Sequence, residues 1–178
     1  GVDALLASGG RDRLVHVFQA RDDYPLQRTL EDHSATITAV KFSVDGKKML
    51  SCGGDKTLVM SHVDLKNQRI SRYKSLPASY GTIYDMDVDA TNKYIATVGQ
   101  DKRLNIWNIS SGKHERSYQT DKVNGELYRV DIDPSGIFAA TSCQDKWIRL
   151  YDFYSGECIA KVTGHSELTT GIKFTPDC

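Results

Sequence analysis

The chain has 178 residues, enough for one ordinary domain with a real core. With 26% charged and 39% hydrophobic residues it is neither disordered nor fibrous, and no run approaches the ~18 apolar residues of a membrane span. Its 23 Lys and Arg balance 23 Asp and Glu, which leaves no basic surplus to release counterions from nucleic acid and no charge excess for a membrane surface.

Taken from the start, residues 4–8 form a short apolar run. A Gly-rich polar turn with Asp12 leads into an alternating strand carrying Leu14, His16 and Phe18. The run ITAVKF (37–42) begins the next unit. Asp45-Gly46 turns the chain into MLSC (49–52), and Asp55 stands in the turn that follows. YDMDVD (84–89) opens a third unit, with Thr91-Asn92 as its first turn and Asp101 in its second. The next strand puts Leu104 and Ile106 in one phase and Trp107 in the other. Pro134-Ser135-Gly136 and Asp145 mark the matching turns of a fourth unit, and Gly164-His165 starts a fifth that is not finished. No amphipathic helix is evident in any of these segments.

The four units align on their aspartates: LLASGGRDRLVHVFQA, MLSCGGDKTLVMSHV, IATVGQDKRLNIWNI and AATSCQDKWIRLYDF. Asp12, Asp55, Asp101 and Asp145 are 43, 46 and 44 residues apart, the period of four-stranded propeller blades. The expected fold is all-β, a β-propeller of four-stranded antiparallel blades, present as a partial propeller of about four repeats. Residues 1–30 are read as a partial blade, 36–76, 82–119 and 126–163 as whole blades, and 164–178 as the first strand of the next. Seven blades need about 300 residues, so the remaining blades of a longer chain are expected. A second possibility is that the last strand pairs with residues 4–8 and places His165 beside Asp12. That would close a four-bladed ring, or an eight-bladed dimer if the strand is exchanged.

The repeated polar residues suit an internal hydrogen-bond chain. A turn aspartate accepts from backbone N–H groups and from a histidine, the histidine meets a strand hydroxyl, and the hydroxyl meets a Trp or Tyr six residues beyond the aspartate. The second unit offers His33, Ser51 and Asp55, with Ser61 too short to complete the chain. The third has Thr97, Asp101 and Trp107, with Ser79 or Tyr80 at the histidine position. The fourth has Thr141, Asp145 and Tyr151, with no histidine near Val123. Ser8 and Asp12 supply the first unit, and His165 opens the fifth. A Ser-His-Asp triad is the catalytic alternative. It is disfavoured because the set recurs with the period and its members change from copy to copy.

With that alignment in place, the chain resembles the WD-repeat proteins over its whole length, although the literal Trp-Asp pair never occurs. LASGGRDRL (6–14), ITAVKF, YDMDVD, TSCQDK (141–146), SGECIAKVTGHSE (155–167) and TGIKF (170–174) resemble the mitogen-activated protein kinase-binding protein family. The resemblance implies a large cytoplasmic scaffold with tandem propellers, linked to stress-kinase signalling or to centrosome and spindle organisation. It places the kinase-docking and oligomerisation segments outside the propellers. It also implies that the face built by the loops into each inner strand and by the aspartate turns receives partners. Carried over position by position, that face holds Arg11, Gln100 and Gln144 before the turn aspartates. It also holds Thr36, Thr38, Thr82, Tyr84, Glu126 and Tyr128 at the inner strands, with Arg11, Tyr84 and Tyr128 as the best anchors.

The expected partners are proteins or peptides, with no membrane; a reader of modified peptides or of nucleic acid is the alternative, and nucleic acid is disfavoured by the zero net charge. No cofactor and no enzymatic activity are expected, because no phosphate-binding, zinc-protease or nucleophile-elbow motif occurs. Cys52, Cys143, Cys158 and Cys178 form no C-x-x-C pair and read as reduced thiols. The histidines lack metal-ligand spacing, so no metal site is expected. Asp85, Asp87 and Asp89 read as solvated or capping residues rather than a calcium loop.

Overall fold

The computed structural model describes residues 4–119 and 125–176, and no helix occurs among them. A three-stranded sheet comes first: β1 (Leu5–Gly9), β2 (Val15–Gln19) and β3 (Leu26–Leu30). Three four-stranded sheets follow. The second is β4 (Ile37–Phe42), β5 (Lys48–Gly53), β6 (Thr57–Asp64) and β7 (Arg69–Pro77). The third is β8 (Ile83–Val88), β9 (Tyr94–Gly99), β10 (Arg103–Asn108) and β11 (His114–Gln119). The fourth is β12 (Leu127–Ile132), β13 (Phe138–Cys143), β14 (Ile148–Asp152) and β15 (Cys158–Val162). Every strand pairs antiparallel with its chain neighbours only. Short turns permit this, and Gly46, Asn92 and Gly136 give the first turn of each complete sheet its left-handed residue, with φ of 67°, 59° and 72°. The inner strands β4, β8 and β12 contact one another in succession, so the sheets fan outward from them as blades of a partial propeller.

The core lies between blades. Val15 and Val17 of the first blade meet Ile37, Met49 and Val63 of the second. Leu50, Cys52, Leu58 and Met60 of the second meet Met86, Ile95 and Trp107 of the third. Ala96, Val98, Leu104 and Ile106 of the third meet Leu127, Val130, Tyr151 and Phe153 of the fourth. β10 therefore buries both faces: Leu104 and Ile106 toward the fourth blade, Trp107 toward the second. That is why Trp107 breaks phase with its neighbours in the sequence.

The free edge of β12, and the terminal segment that follows the fourth blade, are capped by carboxylates of the preceding blade. Val130 N donates to Asp85 Oδ2 at 3.2 Å and Ile132 N to Asp87 Oδ2 at 2.9 Å. Phe174 N donates to Asp131 Oδ2 at 2.6 Å, and Lys173 pairs with the same carboxylate. Asp89 accepts from Lys93 N, Tyr94 N and Thr91 in the turn after β8. Of the two roles read from the sequence for this acidic stretch, capping is the one seen. Asp87 and Asp89 are 8% and 2% exposed, so they are not solvated.

Among the described residues, 163–176 form no strand ladder. The segment instead lies along β12 in the position of an inner strand: Ser142 Oγ donates to Thr169 O at 3.1 Å and Arg129 Nε to Thr170 O at 2.8 Å. Nor does the chain close on itself, since β1 pairs only with β2. Outer tyrosines strap the blades together: Tyr73 donates to Ile109 O at 2.6 Å and Tyr118 to Tyr154 O at 2.8 Å.

Candidate functional site

The turns carrying the four aspartates share one geometry. Arg13, Lys56, Lys102 and Lys146, each following its aspartate, sit in the left-handed region with φ of 72°, 68°, 63° and 70°. Non-glycine residues tolerate this only when held. The aspartate does the holding: its Oδ1 accepts from Leu14 N at 3.2 Å, Thr57 N at 3.1 Å, Arg103 N at 3.1 Å and Trp147 N at 3.1 Å.

The second carboxylate oxygen takes a different partner in each blade. In the second, His33 Nδ1 lies 2.8 Å from Asp55 Oδ2 and Nε2 lies 2.7 Å from Ser51 Oγ. A carboxylate only accepts, so Nδ1 carries the hydrogen there. No bond joins Ser51 to Ser61 among the described residues. In the third blade Asn105 Nδ2 donates to Asp101 Oδ2 at 2.9 Å, and Trp107 Nε1 donates to Thr97 Oγ1 at 3.0 Å. In the fourth the Arg149 guanidinium grips Asp145 at 3.0 and 2.5 Å. Thr141 Oγ1 and Tyr151 Oη are buried neighbours that do not reach hydrogen-bond geometry. The Val123 position lies outside the described residues.

The sequence reading missed the residue four places after each aspartate: His16, Val59, Asn105 and Arg149. Where the preceding loop supplies His33, this position is apolar Val59. Where no loop histidine is present, Asn105 or Arg149 substitutes from within the blade. That exchange is visible in the alignment once the fourth position is compared.

Ser8 and His165 are not part of such a chain. Both are exposed. Ser8 lies opposite His16 on the paired strand, and the His16 ring turns to Thr29 Oγ1 at 2.9 Å while standing 4.0 Å from Asp12. No hydrogen bond or ion pair joins His165 to Asp12 among the described residues. Burial pushes the Asp55 and Asp145 carboxyls up, but their hydrogen bonds outweigh it: Ser34 N, Thr57 and His33 for Asp55, Arg149 and Trp147 N for Asp145. Both end below the ordinary carboxylate value.

The structure brings three of the face residues together. Tyr84 and Tyr128 stack at 5.1 Å with 21° between their planes, and their hydroxyls lie 2.8 and 3.3 Å from Glu126 Oε2. Burial, then the Glu126 hydrogen bond, pushes the Tyr84 phenol up to about 12. With Thr38, Arg129, Leu168 and Thr170 these tyrosines line a cleft of about 250 Å³. Thr38 Oγ1 lies 2.6 Å from Ile83 O and ties β4 to β8. Gln100 and Gln144 are clamps: Thr82 N donates to Gln100 Oε1 at 3.2 Å and Glu126 N to Gln144 Oε1 at 3.3 Å. Gln100 N and Gln144 N donate back to Thr82 O and Glu126 O at 2.9 Å each. Thr36 is exposed and accepts Gly54 N at 2.8 Å. Arg11 is exposed in the β1–β2 turn, apart from the tyrosine pair, and lines none of that cleft. No group of three or more His, Cys, Asp or Glu able to hold a metal ion occurs among the described residues, and no helix there is long and apolar enough to cross a membrane.

Sheets that meander outward from adjacent inner strands, each with an aspartate-held turn between two of its strands, define a β-propeller of repeated units. The family model for the WD domain, G-beta repeat, matches residues 24–60, 71–108 and 113–152. Each match runs from the outer strand of one blade through the third strand of the next, so the repeat unit is offset by one strand from the sheet. The chain belongs to the WD-repeat family. It is 46% identical over 177 residues to WD repeat-containing protein 62 of Mus musculus. It is 49% identical over 178 residues to mitogen-activated protein kinase-binding protein 1 of Homo sapiens. Each alignment covers 98% of this chain and 12% of the relative. Eukaryotic translation initiation factor 3 subunit I of Saccharomyces cerevisiae is 30% identical over 84 residues, covering 47% of this chain and 23% of that protein.

Proposed function

We propose that this chain is part of a non-catalytic cytoplasmic scaffold whose axial face receives a segment of another protein. The observation that carries this reading is the stacked Tyr84–Tyr128 pair over Glu126, bordering an open cleft. Rigid aromatic groups with polar tips make contact area at little entropic cost. The name of mitogen-activated protein kinase-binding protein 1 supports a setting in kinase signalling. Centrosome and spindle organisation is the setting that the family resemblance adds. Because the resemblance puts kinase docking outside the propellers, the partner of this face is a protein other than the kinase.

The test compares the full-length protein with its Tyr84→Ala/Tyr128→Ala variant by quantitative affinity purification, followed by titration with the purified candidate. The expected result is at least about tenfold weaker binding of one or more protein partners, with kinase binding retained. An identical partner set for both proteins refutes the reading, and a salt-sensitive gel shift with RNA or DNA favours the nucleic-acid alternative.

A further inference from the structure

The turn aspartates of the second and fourth blades each hold a nitrogen-rich side chain: Asp55 the His33 imidazole, Asp145 the Arg149 guanidinium. Asp101 has only the Arg103 amide and the neutral Asn105 carboxamide, and no ion pair reaches it among the described residues. Where the second blade is filled by His33, the loop before the third blade presents Ser79 and Tyr80, and a cleft of about 430 Å³ opens beside Asp101. Asn105, Trp107 and Ser117 line it, with the His114 ring 4.7 Å from that of Trp107. The Ser117 hydroxyl is buried with no hydrogen-bond partner, and the Tyr80 ring, 89% exposed, stands at the mouth.

A carboxylate without a cation, an orphaned hydroxyl and aromatic walls are complementary to a flat cation with several donors. We propose that this lateral cleft is a receptor for an arginine side chain of a partner protein. The guanidinium meets Asp101 and Ser117, and its aliphatic stem lies along Trp107. The fourth blade shows the chemistry in cis: Arg149, 4% exposed, occupies the matching place on Asp145. In the third blade the position that would supply it is Asn105, so the arginine must come from outside. Arg103 borders the same cleft and opposes the incoming charge, so Arg103→Ala is expected to tighten binding, and weaker binding in that variant counts against the proposal. The cleft shares no lining residue with the axial tyrosine pair, and the two readings fail independently.

The test titrates N-acetyl-arginine methylamide, and its neutral citrulline counterpart, into the full chain while following Trp107 emission in a Trp147→Phe background. The arginine probe is expected to saturate in the millimolar range, to bind about tenfold more weakly to Asp101→Asn, and the citrulline probe to give no saturable signal. Asn105→Arg copies the fourth blade, so it should fill the cleft from within and abolish probe binding with no fall in melting temperature. Equal response to both probes, or a folded Asn105→Arg variant that binds the arginine probe as the parent does, overturns the proposal.

Discussion

Removing the imidazole of His33 is the most direct test of how the aspartate turns are held. The side chain is fully buried and Asp55 is 4% exposed, so water cannot replace what is lost without entering the blade interface. His33→Ala deletes the 2.8 Å contact to Asp55 and the 2.7 Å contact to Ser51. Ser51 is 3% exposed, and a buried hydroxyl left without its partner costs roughly 1–3 kcal/mol. Asp55 keeps Ser34 N at 3.0 Å and both Thr57 donors at 3.1 and 2.8 Å. Its share is therefore at the low end, about 1 kcal/mol. The void left by the ring adds about 1 kcal/mol. The expected loss is about 3–5 kcal/mol, read as a lower urea midpoint at constant m-value. Ser51→Ala should cost less by itself, and the double variant should fall short of additivity by about 1 kcal/mol, because the orphaned hydroxyl disappears with it. A loss below about 1 kcal/mol for His33→Ala, or strict additivity in the cycle, would refute the account.

Gly99 lies where β8 enters the third blade: a Cβ there would overlap Thr82 O and stand 3.0 Å from Ile83 Cα. Gly99→Ala is expected to cost about 1–3 kcal/mol in urea unfolding, whereas alanine at Gly136 would meet no atom within 4 Å and would suffer only from its φ of 72°. Equal tolerance at both sites would show that the close backbone approach does not matter. Asp55 and Asp145 have carboxyls held below their ordinary value in the folded chain. Their stabilisation is complete above the unfolded carboxylate value and is lost as pH falls through the folded one. The urea midpoint should therefore drop on acidification below roughly pH 4, with a shallower drop in Asp55→Asn, and a midpoint that rises on acidification would contradict the shifts.

Short-range chemistry governs everything that could be read from the residues alone. The 43-, 46- and 44-residue spacing of the aspartates, the alternation of strands such as ITAVKF and the turn residues after each inner strand all act over a few neighbours. Those signals settle an all-β meander of repeated sheets. The pairing of His33 with Asp55 and Ser51 could be read in advance because the aspartate and the strand hydroxyl recur with the period and His33 stands in the loop before them. Contacts that depend on two blades meeting emerge first in the folded chain. Asp87 reaches Ile132 N across 45 residues, Tyr84 stacks on Tyr128 across 44, and Gln100 and Gln144 clamp the loops before β8 and β12. The cleft beside Asp101 also belongs to this class. Strand and turn formation follow local backbone preferences, whereas these contacts depend on how far one twisted sheet is rotated against the next. No single repeat contains that relation.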